Sequence, residues 1–125
     1  MTKLQNNSVD PREYFTDERC HILELHNTAT DPGVSLARAR VEPGITTAWH
    51  AVVATIERYI VISGTGIAEV GDEPAITLNA GDHLLIPAEK KQRIHNPGSV
   101  DLIFHCICTP RFERRNYRSL EGRVD

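Results

Sequence analysis

The sequence has no long apolar run, no basic excess and no even-numbered cysteine framework, and each lack removes a class of function. No stretch approaches membrane-spanning length. Lys plus Arg number 14 against 17 Asp plus Glu, so the broad positive footprint of a general nucleic-acid binder is missing. The opening MTKLQNNSVD has none of the apolar core of a signal peptide, which makes the cytoplasm the expected compartment. The three cysteines, Cys20, Cys106 and Cys108, are odd in number and read as free thiols. There is no glycine-rich phosphate loop, no GxSxG elbow, no helix-turn-helix segment and no internal repeat. At 125 residues the chain is long enough for one domain with a modest core.

What is present is a series of short β-prone runs separated by turn residues. Residues 20–26, 34–42, 55–63, 66–70, 75–78, 83–86, 92–95 and 100–108 read as strands. Pro43-Gly44, Gly64-Thr65-Gly66, Gly71 to Pro74, Asn79 to Asp82 and Asn96 to Ser99 read as the turns between them. One helix is expected, from Asp10 to about Asp17, because Asp10, Pro11 and Glu13 form a helix-start signature. Residues 1–9 read as a loose polar lead. The pattern predicts an all-β antiparallel sandwich, jelly roll or barrel. The chain divides into an N-terminal segment over 1–19, a barrel over 20–110 and a basic tail over 111–125. That tail could cover a barrel edge or reach a second subunit.

Two residues stand out against this apolar background. Strand alternation places Glu57, Tyr59 and Val61 on one face of the 55–63 strand, with Ile56, Arg58, Ile60 and Ile62 on the other. Both faces are largely apolar, so the strand is expected to be buried on both sides, with Glu57 in the interior. A buried carboxylate needs a hydrogen-bond network, a cation or a metal. His50 shares its face with Val52 and Ala54 and sits in a similarly apolar setting. In residues 34–42, Arg38, Arg40 and Glu42 form a charged row that reads as solvent-facing, opposite a small-residue face of Ala37, Ala39 and Val41. The sharper alternative is an arginine pair that collects an anionic substrate.

In the last strand, Phe104, Cys106 and Cys108 form one row and Ile103, His105 and Ile107 the other. The sequence does not choose which row faces inward. The cysteine pair could present two soft ligands to a metal. The reading as two small buried hydrophobes is favoured, because no second Cys or Cys/His pair completes a zinc site.

The positions of Gly44, His50, Glu57 and Gly64, followed by Gly81, Pro87 and Asn96, resemble the two linked motifs of the cupin superfamily. Val52 stands where the first motif has its second histidine. Glu89 and Gln92 stand where the second has a glycine and a histidine. The resemblance implies a cupin-type β-barrel and a divalent metal held by His50, Glu57 and Gln92. One imidazole, one carboxylate and one amide oxygen suit manganese or iron better than zinc. His105 could replace the missing imidazole if its row faced the cavity. Tyr59 is then a candidate proton donor, and Val52, Tyr59 and Phe104 are the expected substrate contacts. The implied function is a metal-dependent oxygenase, isomerase or lyase acting on a small polar metabolite, with a homodimer expected. The alternatives are a metal-free module that binds a sugar or carboxylic acid, and a scaffold whose basic tail meets an acidic partner.

Overall fold

The computed structural model describes residues 10–121. The expected loose lead of residues 1–9 lies outside them. Among the described residues, eleven strands form two antiparallel sheets. They are β1 (Tyr14–Phe15), β2 (His21–His26), β3 (Ser35–Val41), β4 (His50–Val52), β5 (Ile56–Ser63), β6 (Thr65–Val70), β7 (Ile76–Asn79), β8 (His83–Ile86), β9 (Gln92–His95), β10 (Leu102–Thr109) and β11 (Tyr117–Ser119). One sheet runs β1-β2-β3-β10-β5-β8 and the other β11-β4-β9-β6-β7. Val41, Val61, Leu78, Ile86, Ile94 and Leu102 are fully buried in the core.

Strand alternation decides what faces that core. In β5, Glu57, Tyr59 and Val61 are buried, as the period of two requires. The opposite row is not covered as expected: Ile56 is 37% and Ile62 47% exposed. Only one face of this antiparallel sheet is packed, so β5 has a dry side and a wet side. In β3, Ala39 and Val41 face inward, while Arg40 lies on the outer face and pairs with Glu13 at 2.6 Å and Asp101 at 3.1 Å. Arg38 reaches the same Glu13 at 3.5 Å. The two arginines therefore lie outside the cavity and pair with acidic side chains there.

The helix expected from Asp10 does not form. Asp10 accepts hydrogen bonds from the backbone and side chain of Arg12, each at 2.8 Å, and the Glu13 amide donates to the Asp10 carbonyl at 2.9 Å. This is a tight turn. Glu13 does not reach back to cap a helix; its carboxylate, 1% exposed, is drawn onto Arg40. Tyr14 and Phe15 then pair with Ile22 and His21. Tertiary ion pairing outweighs the local capping preference.

The basic tail has a defined place as far as it is described. One 3-10 turn at Arg114–Asn116 leads into β11, whose Tyr117, Arg118 and Ser119 pair with Val52, Ala51 and His50 of β4. The tail covers what would be an open sheet edge beside His50. Two of the backbone positions that carry positive φ are Gly64 and Glu89. Gly64 has φ +85, and a Cβ there would lie 2.6 Å from the Asp101 carbonyl oxygen. Glu89, at a motif-glycine position, carries φ +70 and donates its backbone N–H to the Val52 carbonyl at 3.0 Å.

Candidate functional site

A cavity of about 240 Å³ opens between the sheets. Ala37 and Ala39 leave the room, and His50, Val52, Glu57, Tyr59, Phe104, Cys106 and Cys108 line it. Thr16 to Glu18, Phe112, Arg114 and Tyr117 frame its mouth. The segments on either side of the barrel thus complete the wall.

The polar wall is a hydrogen-bonded chain that bridges the two sheets. Gln92, 2% exposed, stands on β9 directly opposite His50 of β4. Its side-chain amide donates to Glu57, and its carbonyl oxygen accepts the Tyr59 hydroxyl. The Tyr59 ring packs on Phe104 with centroids 4.4 Å apart. Burial, and then the charge of Glu57, push the Tyr59 hydroxyl well above the usual phenol range, so it remains a donor.

His50 is 4% exposed. Its Nδ1 donates to the Ala48 carbonyl at 2.9 Å, which fixes the tautomer and leaves Nε2 as the free nitrogen. Nε2 lies 3.7 Å from the Glu18 carboxylate. The Tyr117 ring stacks on the imidazole, centroids 5.3 Å apart and 17° from parallel. Burial and the nearby Glu18 carboxylate raise the Tyr117 hydroxyl above its ordinary range.

The inward row of β10 is Phe104, Cys106 and Cys108. Across the β5–β10 ladder Cys108 stands opposite Glu57 and Cys106 opposite Tyr59. Cys106 Sγ is 3.1 Å and Cys108 Sγ 3.6 Å from Glu57 Oε2, and the two sulfurs are 3.8 Å apart. The hydrogen bond with Cys108, burial and the charge of Glu57 all raise the Cys106 thiol well above its usual range. His105 lies on the opposite row, paired with Arg38 and Ile60, and is not among the cavity residues. It does not replace a missing ligand.

The expected residues His50, Val52, Glu57, Tyr59 and Phe104 meet in one cavity, with Gln92 bonded into its wall. Whether they suit a metal differs by residue. His50 has the tautomer of a ligand, because a metal-bound imidazole commonly donates its other N–H to a carbonyl. Gln92 turns its N–H toward Glu57 and its carbonyl oxygen toward the Tyr59 hydroxyl. Glu57, Cys106 and Cys108 bring three ligand atoms within 4.8 Å of one another.

Sequence reasoning missed Glu18 and Tyr117. Both lie in flanking segments with no periodicity or motif to mark them. Cys106 and Cys108 were visible as a row, but their orientation was not. Among the described residues no helix is long and apolar enough to cross a membrane.

The double-stranded β-helix protein of Klebsiella pneumoniae shares 19% identity over 96% of this chain and 100% of its own, with a TM-score of 0.74. Streptomyces PAC13, in a structure with uridine, shares 19% over 96% of this chain and 92% of its own, with a TM-score of 0.73. KdgF from a Halomonas species shares 14% over 82% of this chain and 89% of its own, with a TM-score of 0.71. These similarities carry the fold and no activity. A search of curated proteins gives no match. The cupin-domain family model matches residues 37–108. That span is more than half of the chain and holds every cavity residue described on β4, β5, β9 and β10, so the chain belongs to the cupin family.

Proposed function

We propose that the chain is a small-molecule enzyme of proton-transfer type, an isomerase or lyase, acting on a compact hydroxylated metabolite. The observation that carries this reading is the pairing of a tautomer-fixed His50 Nε2 with Glu18 at the cavity wall. An imidazole whose Nδ1–H is held by the Ala48 carbonyl keeps its Nε2 lone pair for a proton from carbon or oxygen, and Glu18, on the same side, offers a carboxylate that can hold or return a proton at a neighbouring position. Glu57, steadied by Gln92, offers a second carboxylate across the space. Tyr59 acts as a positioning residue, since its hydroxyl is committed to Gln92. Val52 and Phe104 supply apolar contact.

Charge narrows the substrate. Asp17, Glu18, Glu24, Glu57 and Glu121 line the cavity against the single guanidinium of Arg114 among the described lining residues. A neutral or cationic ligand suits that field better than an anion. A divalent metal, when bound at Glu57, would polarise a substrate oxygen as a Lewis acid. We also propose a homodimer through the outer face of β5 and β8, where Ile56, Ile62 and Leu85 are exposed beside an open edge.

The test begins with hydroxylated metabolites screened by thermal shift. Ligands that stabilise the protein are then incubated in D2O and followed by NMR for exchange of carbon-bound hydrogen. Exchange that falls by about 100-fold or more in His50→Ala supports the reading. A second reading is a metal-free binding module, in which the Glu57–Gln92–Tyr59 chain serves as a hydrogen-bonded pocket wall. It predicts the same stabilisation, unchanged by chelator, with no exchange.

A further inference from the structure

Two thiols and a carboxylate converge on one point of the cavity wall, and none of the three has a cationic partner within the group. Their geometry is specific. A zinc–sulfur bond of about 2.3 Å and a zinc–oxygen bond of about 2.1 Å at tetrahedral angles put two sulfurs about 3.8 Å apart, and a sulfur and an oxygen about 3.6 Å apart. Here the two sulfurs are 3.8 Å apart and Cys108 Sγ is 3.6 Å from Glu57 Oε2. Only the Cys106–Glu57 edge, at 3.1 Å, would have to open.

The backbone fixes this arrangement. Cys106 and Cys108 are two apart on β10 and so share a face, and Glu57 stands opposite Cys108 on the neighbouring strand. All three approach from two adjacent strands of one sheet.

We propose that Glu57, Cys106 and Cys108 form a site for a thiophilic divalent cation of the zinc type. Val52 and Gln92 stand where the motifs have histidines, and the two sulfurs come instead from β10, in the other sheet. Soft sulfur donors reverse the preference for manganese or iron drawn from the sequence. On binding, each thiol gives its proton to solvent and forms a metal–sulfur bond, and the Glu57 carboxylate adds an oxygen. Three protein ligands are the number that catalytic zinc sites retain, with the remaining position left for water or a substrate oxygen. Cys20 is not a member: its sulfur lies 3.7 Å from Thr16 Oγ1 and 3.6 Å from Glu18 Oε1. The site shares Glu57 with the proton-transfer reading but needs neither His50 nor Glu18, so metal binding read without any activity assay separates the failure of one from the failure of the other.

The test uses the full chain, purified without chelator, with zinc, cobalt and manganese as probes. Calorimetry should give one zinc per chain, bound at least about 100-fold more tightly than manganese. The cobalt form should show sulfur-to-metal charge-transfer absorption. That absorption should survive Cys20→Ser and His50→Ala and vanish in Cys106→Ser/Cys108→Ser. Should the double variant fail to fold, X-ray absorption on the unmodified zinc protein decides: two sulfurs in the coordination shell support the site. A shell without sulfur, or equal affinity for zinc and manganese, overturns it.

Discussion

Gln92 donates its side-chain amide to Glu57, joining β9 of one sheet to β5 of the other across the cavity wall. The same residue receives the Tyr59 hydroxyl. Gln92→Leu would leave a carboxylate and a phenol facing apolar atoms. We expect a loss on the order of 3 kcal/mol in urea denaturation. Tyr59→Phe removes one bond and keeps the ring on Phe104, so it should lose only about 1 kcal/mol. Equal losses in the two variants would show that the chain is not a connected unit.

The Glu13 carboxyl is held below its ordinary value of 4.5, chiefly by its hydrogen bonds to Arg40. A carboxyl whose folded-state pKa is depressed adds stability that is complete above its unfolded value. That stability drains away as pH falls below 4.5 through the folded value. Glu13→Gln should cost on the order of 2 kcal/mol at neutral pH and flatten the stability profile in acid. Denaturation midpoints measured from pH 7 down to 3 check the slope. A variant that loses stability in parallel with the parent would place the acid sensitivity elsewhere.

Gly64 carries the sharpest backbone demand. With φ +85 and a hypothetical Cβ 2.6 Å from a carbonyl oxygen, Gly64→Ala meets both strain and a clash that no rotamer relieves. The expected cost is roughly 2 kcal/mol or more. It should appear as a lowered melting temperature, whereas Gly33→Ala, with open space around it, should be near neutral.

Much of this fold was legible from period and punctuation. The row Glu57, Tyr59, Val61 follows from alternation alone, and the turns at Gly44 and Gly64 mark the ends of the segment that carries the site. What local pattern could not supply was competition over distance. The Asp10 signature is a sound helix start in isolation, and it loses because Arg40, distant in sequence, claims Glu13. Likewise β10 presents two plausible inward rows, and only its register against β5 selects the cysteines over His105. Glu18 carries no mark in its own neighbourhood; its meaning arises from Nε2 of His50.

The outer row of Ile56, Ile62 and Leu85 yields a prediction about assembly. Leu85, 55% exposed on the edge strand β8, is paired with Arg58 and so shares that face. If the dimer forms here, Leu85→Lys should give a monomer in sedimentation experiments with an unchanged melting temperature at low concentration. A parent chain that is already monomeric at high concentration would remove the proposal.

Proton transfer in this cavity requires a ligand in the space between His50 and Glu57. A crystal structure of the protein soaked with a stabilising metabolite tests this most directly. The account predicts a ligand hydroxyl within hydrogen-bonding distance of His50 Nε2, with a second polar group on the Glu57 side. Ligand density outside the barrel, with the imidazole still facing Glu18 and the cavity unchanged, would contradict it.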